Sequence, residues 1–535
     1  MPDAPTPMSA FVARNDEGVE RLLERQNTNP ESRWQGAIPD ATGLHEPGTA
    51  SGVLVSGVAA YFTAESKFYH DAQLRKRMKM AADHLTRVQS KDGNFDLLIT
   101  NFNSPPDTAF IMRNVATAAY LANKFGDREL FGWMEPSMQR GADGLLKGGI
   151  HTPNHRWVAC AALAQLQEVL KRPELIGRID EWLAEGIDID EDGQYSEQST
   201  TMYNAHVDNC LVTVADKLKR PELLEPVRKN LETMLYLLHP NYEVVTEISH
   251  RQDRNTIGNM GYYWFALRYM ARHDNNGQLE TVARVFEPDR GSLALLMEYS
   301  ELQKAGPSPK PVPDNYSKYF PHSNLVHIRR GKTSASIIPR DNSRFFAVRR
   351  GEAVVSGVRF AAAFFGKGQF IPTDASEKNG VWTLEETLEG PYFQPLTDGR
   401  KQPWGVDNWY EFRKYREQTE VSEFHYTAEV KEVENGFDVR IRAEGTDWVP
   451  LAVEVNLREG GEIEGVVEAP DGAEAYILES GYATYRRGGD ELRFGPGLAE
   501  TRYTQVRGAE PKLAGPSVYI TGYTPFDRTL EFRWG

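Results

Sequence analysis

Asn154 and His155 stand side by side, and Tyr203 follows 48 residues after His155. An imidazole titrates near neutrality and can accept or donate a proton. A phenol can donate its proton, and can act as a base where nearby cations lower its pKa. An asparagine amide donates hydrogen bonds to a carboxylate. Arg251 and Arg254, in Ser249-His250-Arg251-Gln252-Asp253-Arg254, can strengthen such a grip with paired N–H groups. His206 and His250 are further donors, Asn103 lies in a polar loop before another helix, and Trp157 offers a ring for stacking on a sugar. These groups match the needs of β-elimination at a uronic acid. The carboxylate must be neutralised so that the proton at C5 becomes acidic. A base must take that proton, and an acid must protonate the oxygen leaving from C4.

The elements that must position these residues are helical. Leu-Lys-Arg-Pro-Glu-Leu occurs at Leu170–Leu175 and again at Leu218–Leu223, an offset of 48 residues. The same offset carries His155 onto Tyr203, so the two take equivalent places in consecutive helical hairpins. A histidine or tyrosine at a helix start is often a capping or packing residue. Equivalent placement in adjacent repeats favours function. From Gly52 to Gln303 the apolar spacing is helical throughout, with about twelve helices once Glu17–Gln26 is added. Hairpins of 45–48 residues suit an (α/α)6-type toroid or an open superhelix, with polar loops gathered where the inner helices begin. Those loops are Asn101–Pro106, Thr152–Trp157, Asp192–His206 and Ser249–Arg254.

The pattern Asn154-His155, then Asp192-Gly193, then Glu197-x-Ser199-x-x-x-Tyr203 resembles the heparinase II/III-like and related alginate lyases. The resemblance implies an α/α toroid joined to an antiparallel β-sheet domain. It also implies Asn154 as carboxylate neutraliser, His155 as base or neutraliser, and Tyr203 as general acid or base. The chain departs from the family in two respects. The interval from Asn-His to the tyrosine is slightly short, and no His-x-His-x-Asp metal pattern is present. His322, His327 and His425 are the only histidines after residue 316, and their spacing does not suit zinc.

After Gln303 the composition changes. Ala305–Asp314 is proline-rich and reads as a semi-rigid linker. Beyond it the apolar period is two, over some thirteen short strands from Asn324–Arg330 to Arg528–Trp534. The expected organisation is a toroid over residues 1–304, a linker over 305–316 and an antiparallel β-sandwich over 317–535. The overall class is α+β.

Net charge is −15, which argues against a nucleic-acid partner but allows an acidic glycan in a locally basic cleft. No apolar run approaches a membrane span, and Met1–Met8 lacks a basic and apolar leader pattern. The expected location is the cytoplasm, or the periplasm or exterior after loss of a signal. Cys160 and Cys210 read as buried thiols. Asp188-x-Asp190-x-Asp192-Gly193 imitates a calcium loop, but Ser199 stands where its bidentate glutamate belongs. No metal or cofactor is expected. Arg329-Arg330, Arg349-Arg350 and Arg486-Arg487 read as solvated strand faces. Two other functions compete. A glycoside hydrolase would use Glu197 with Asp107, Asp208 or Asp253 as a carboxyl pair. A non-catalytic glycan-binding protein would need no proton-transfer pair.

Overall fold

The computed structural model describes residues 7–286, 291–470, 472 and 474–535. Residues 1–6, most of the opening segment Met1–Met8, lie outside them. The chain forms two compact units: Met1–Leu238 with Tyr242–Pro313, and Asp314–Gly535 with His239–Asn241.

The first unit is helical. Its helices are α1 (Met8–Arg25), α2 (Pro47–Phe62), α3 (Ala72–Val88), α4 (Pro105–Lys124), α5 (Arg128–Lys147), α6 (His155–Leu170), α7 (Glu174–Leu183), α8 (Tyr203–Leu218), α9 (Leu224–Leu235), α10 (Trp264–His273), α11 (Gly277–Val285) and α12 (Ser292–Glu298). Local chemistry fixes several starts. Asp71, Ser104 and Asp127 accept N–H bonds as N-caps of α3, α4 and α5, and prolines open α2 and α4.

Burial separates inner from outer helices. On α6 every residue from Trp157 to Leu166 is buried, whereas α7 buries only Leu175 and Ile179, one turn apart on a single face. The inner helices α2, α4, α6 and α8 pack in succession, and α8 meets α10. The first and last hairpins also meet. The Phe11 ring of α1 lies 5.4 Å from Trp264 of α10, and α12 packs on α1, α2 and α4. This is the expected toroid of αα-hairpins.

The 48-residue repeat is reproduced in three dimensions. Helices α6 and α8 are each 16 residues long and begin at His155 and Tyr203. They end on Lys171 (φ 56°, ψ 45°) and Lys219 (φ 56°, ψ 48°), both left-handed, each donating its backbone N–H to the last turn. The proline two residues on prevents either helix from continuing.

The second unit is a β-sandwich. One sheet of nine strands runs from Val467–Glu468 through Ala475–Ile477, Ser517–Tyr523, Pro450–Leu457, Ala353–Ala362, Phe346–Arg350, Thr333–Ile337 and Leu325–Arg330 to Asn315–Phe320. The other, of eight, runs from Glu462–Glu464 through Ala483–Arg487, Asp490–Gly495, Phe526–Arg533, Gly436–Glu444, Gln418–Val433 and Val381–Phe393 to Asp374–Lys378. Their inner faces share one core, in which Phe346 of the first sheet meets Phe437 and Phe532 of the second at 5.4 and 5.6 Å.

Four details correct the reading from sequence, the first being that the strand Asn315–Phe320 begins inside the stretch read as a linker over 305–316. Ala475–Ile477 pairs with Ser517–Tyr523 in parallel, within sheets that are otherwise antiparallel. The hairpin Asp374–Lys378 with Val381–Phe393 adds two strands the sequence reading left out. A short helix, α13 (Val406–Phe412), stands in a unit read as free of helices. Among the described residues no helix is long and apolar enough to cross a membrane.

Candidate active site

The polar loops of the helical unit converge because buried hydrogen bonds tie them together. Asp253, itself buried, is the knot. Its Oδ2 accepts from Ser199 Oγ at 2.9 Å, Thr201 Oγ1 at 2.7 Å and Thr201 N at 3.2 Å, and its Oδ1 accepts from Ser249 Oγ. Ser199 Oγ in turn accepts the backbone N–H of Tyr203 at 3.1 Å, which fixes the first turn of α8. Upstream, Gly193 adopts φ +85° with Lys229 O where a Cβ would sit, 2.8 Å away. A side chain there would lift the loop from α9. Asn230 Nδ2 and Thr233 Oγ1 donate to the carbonyls of Gly193 and Asp192. Asp253→Ala should therefore cost about 2–4 kcal/mol, because several buried donors lose their acceptor at once. Calorimetric unfolding checks this, and a loss below about 0.5 kcal/mol, the usual range for a surface substitution, would show that the loops are held by other means.

At the mouth of these loops lies a charged triad. Asn154 Nδ2 donates to Glu197 Oε1 and Oε2 at 2.8 and 2.9 Å and to Thr152 Oγ1 at 3.3 Å. Arg251 Nη1 pairs with Glu197 Oε1 at 2.9 Å. The Arg251 guanidinium also lies 4.5 Å over the ring of Tyr203, and Gln252 Nε2 donates to the Tyr203 hydroxyl at 2.7 Å. Asn154 thus spends its amide hydrogens within the protein. The carboxylate it grips is Glu197, which corrects the role drawn from sequence, and its Oδ1 is buried without a partner.

A run of rings joins the two repeat-equivalent residues. Tyr203 lies 6.2 Å from His206, His206 5.6 Å from Phe110, Phe110 6.3 Å from His155, and His155 4.8 Å from His151. Burial pushes His155 down to about 4, assisted by the neighbouring His151 and Arg251. His206 is pushed down to about 4 by burial and by Arg113. Both imidazoles are neutral at pH 7, and His155 Nδ1 is buried without a partner.

The pH dependence of stability follows. Between pH 6.5 and about 4 the unfolded chain binds protons that folded His155 and His206 refuse. Stability therefore rises with pH across that window and is lost as pH falls through it. His84 in the same unit, also pushed down to about 4, and His239 in the β unit, held well below its usual value by burial, act in the same sense. The melting temperature should fall continuously from pH 6.5 to 4, and His206→Gln should flatten the slope. An unchanged slope in that variant would contradict the neutral assignment.

The remaining sequence-derived residues divide. His250 sits on the rim, its backbone N–H donating to Glu197 O at 3.0 Å and its Nδ1 3.4 Å from Ser196 O. Arg254 is exposed and has no ion pair among the described residues. Asn103 is exposed and held locally, donating to Asp92 Oδ2 at 3.0 Å and accepting from Ser90 Oγ at 2.8 Å. Trp157 is a correction. It is fully buried, with Nε1 donating to Asp188 Oδ1 at 2.9 Å, so it offers no face to a sugar. Two positions past His155 on a helix it points away from the rim.

Of the three acids a hydrolase could pair with Glu197, Asp208 and Asp253 are buried in the fold, whereas Asp107 is half-buried near His155. Asp208 is sealed in the core, accepts from Tyr195 Oη at 2.7 Å, and is pushed well above the usual carboxylate range by burial. Asp253 is the loop knot, and Asp107 Oδ2 accepts from Ser104 Oγ at 2.5 Å at the start of α4. Asp188 serves Trp157 and Arg156, and among the described residues no group of three acidic, histidine or cysteine side chains could hold a metal ion. Cys160 and Cys210 are free and buried. Of the arginine doublets, Arg330 pairs with Glu432, Arg486 with Glu464 and Glu491, and Arg487 with Glu352. Sequence reasoning missed Gln252 and the tie from Glu197 to Asn154 and Arg251, because those contacts span 43 to 54 residues with no repeating signal.

The architecture is that of the polysaccharide lyases that join an α/α toroid to a β-sheet domain. The chondroitin AC lyase of Streptomyces coelicolor A3, solved with chondroitin sulphate, aligns over 100% of this chain and 80% of its own, at 13% identity and a TM-score of 0.58. A Paenibacillus xanthan lyase aligns over 98% of this chain and 57% of its own, at 9% identity and a TM-score of 0.59. A chondroitinase AC lyase, solved in oligosaccharide complexes, aligns over 99% and 82%, at 11% identity and a TM-score of 0.51. At such identities the likeness is one of fold. No protein-family pattern and no curated protein matches the sequence.

Proposed function

We propose that the protein is a polysaccharide or oligosaccharide lyase that cleaves a uronate-containing glycan by β-elimination. The observation that carries this reading is the Tyr203 phenol, held by Gln252 at 2.7 Å beneath the Arg251 guanidinium and joined through His206 and Phe110 to a neutral His155. A guanidinium over the ring is placed to stabilise negative charge that develops on the phenol oxygen as a proton moves. The neutral imidazole is in the unprotonated form that a base requires, and a substrate carboxylate bound beside it would raise its affinity for the proton. His155 and Tyr203 then act as base and acid. The proton leaves C5, the C4–O bond breaks, the electron pair forms the C4–C5 double bond, and the departing oxygen is protonated.

The substrate carboxylate is gripped by Arg251, with Arg254 and His250 on the same loop. Asn154 acts through Glu197, fixing the carboxylate that orients Arg251. The fold shared with chondroitin AC lyase and xanthan lyase supports the same reaction class. Ultraviolet absorbance of the unsaturated product tests the reading, with alginate, glucuronan, hyaluronan, heparan, chondroitin, ulvan and pectic chains as substrates. A rise with one of them is the expected result. New reducing ends without a rise would point to hydrolysis.

A further inference from the structure

Between the paired strands Val381–Phe393 and Gln418–Val433 the chain leaves its sheet for residues 394–417. The excursion contains α13 and the turn Arg413–Tyr415, and neither has a buried residue. It is nonetheless rich in aromatic rings. Trp404 is 96% exposed, Tyr410 57% and Trp409 38%. Single exposed aromatics are ordinary on a protein surface, whereas a cluster marks an interaction site.

The rings are paired with cations. The Arg413 guanidinium lies 4.3 Å over Tyr410, and that of Arg416 lies 4.5 Å over Trp409. Arg416 Nη1 and Nη2 donate to Gln394 O and Gln402 Oε1, both at 3.0 Å. Of the other three cations of the excursion, Arg400 pairs with Asp398 at 2.7 Å, Lys414 with Glu411 at 3.9 Å, and Lys401 has no ion pair among the described residues. Arg413 and Arg416 have none among the described residues. A guanidinium held over a ring is pre-oriented, and because Nε of Arg413 and of Arg416 is buried without a partner, an oxyanion would meet their terminal Nη groups.

We propose that residues 394–417 form a binding platform for an anionic glycan chain. Trp404, Trp409 and Tyr410 stack on sugar rings, and Arg413 and Arg416 meet carboxylate or sulfate groups. The aromatic faces call for a ligand with apolar C–H faces, and the unpaired cations call for an anionic one. A sugar acid chain combines the two. Its choice over other anions rests on the lyase reading. A lipid surface fits less well, because Asp407 and Glu411 interrupt the aromatic side chains and leave no continuous apolar face.

Affinity electrophoresis of the full chain in gels containing alginate or chondroitin sulfate tests the platform, with dextran gels as the neutral control. All proteins carry Tyr203→Phe so that the probe is not consumed. Trp404→Ala/Trp409→Ala and Arg413→Gln/Arg416→Gln should each weaken retardation by about tenfold, with unchanged melting temperature, since each removes contacts of the size of a cation–π or stacking pair. Added salt should weaken the binding of the parent. Retardation unchanged in both variants, absent from both anionic gels, or equal in dextran would overturn the proposal. So would loss, in these variants, of flotation with phosphatidylglycerol vesicles or of a dimer in light scattering, because the platform would then serve a membrane or a second copy. The two readings fail separately. Turnover by the chain that keeps Tyr203, with retardation unchanged in the variants, removes the platform and keeps the lyase. Retardation lost in the variants, with no turnover on any glycan by the chain that keeps Tyr203, does the reverse.

Discussion

Tyr203→Phe should lower kcat by about a hundred- to ten-thousand-fold, the span usual for removing a positioned proton-transfer group. KM should change little, because the ring and its stack on Arg251 remain. Stability should also change little. The Tyr203 hydroxyl is a rim group whose recorded partner is the exposed Gln252 amide, and a solvent-facing hydrogen bond contributes about 1 kcal/mol or less. A fall in kcat with an unaltered melting temperature would place Tyr203 in the proton transfers. A fall in both would mean that the phenol holds the loop instead. Gln252→Ala separates the roles further. It should lower kcat far less than Tyr203→Phe does, since it orients the hydroxyl and moves no proton.

Arg251→Ala should have the second largest effect, and it should act on folding and activity together. The Glu197 side chain is 7% exposed and that of Arg251 25%. Removing the arginine leaves a buried carboxylate held only by the Asn154 amide. Breaking a fully buried pair costs about 3–5 kcal/mol, and the partial exposure of Arg251 brings the expected loss to about 2–3 kcal/mol. Adding Glu197→Gln to Arg251→Ala should recover much of the stability, because the uncompensated charge is gone. It should recover none of the activity, because the substrate carboxylate still lacks its cation. Equal stability of the single and double variants would show that Glu197 is not the group Arg251 compensates.

The helical half of the fold was legible because it repeats. The offset carrying Leu170 to Leu218 also carries His155 to Tyr203, and the structure places both at first residues of inner helices. The triad was not legible. Asn154, Glu197 and Arg251 lie on three separate loops, and nothing local in an asparagine beside a histidine tells whether its amide meets a substrate carboxylate or the protein's own. Trp157 misled for a different reason. An aromatic near a polar cluster fits a sugar platform, but helical geometry turns the residue two places on toward the opposite face. In the β unit, Val381–Phe393 was missed because most of its residues are partly exposed on both faces, so the apolar alternation that marks a half-buried strand is faint. The excursion at 394–417 escaped a structural reading for the same reason, since it buries nothing in its helix and turn.

The central claim is that bonds break by elimination and not by water attack. Digestion of the substrate found in the ultraviolet panel, carried out in water enriched in oxygen-18 and followed by mass spectrometry of the products, tests it most directly. Elimination predicts products that carry no label at the cleaved bond, with one fragment of each pair lighter by one water than its hydrolytic counterpart. Label incorporated once per cleavage, with no unsaturated fragment, would contradict the account and return Glu197 to consideration as a hydrolytic acid.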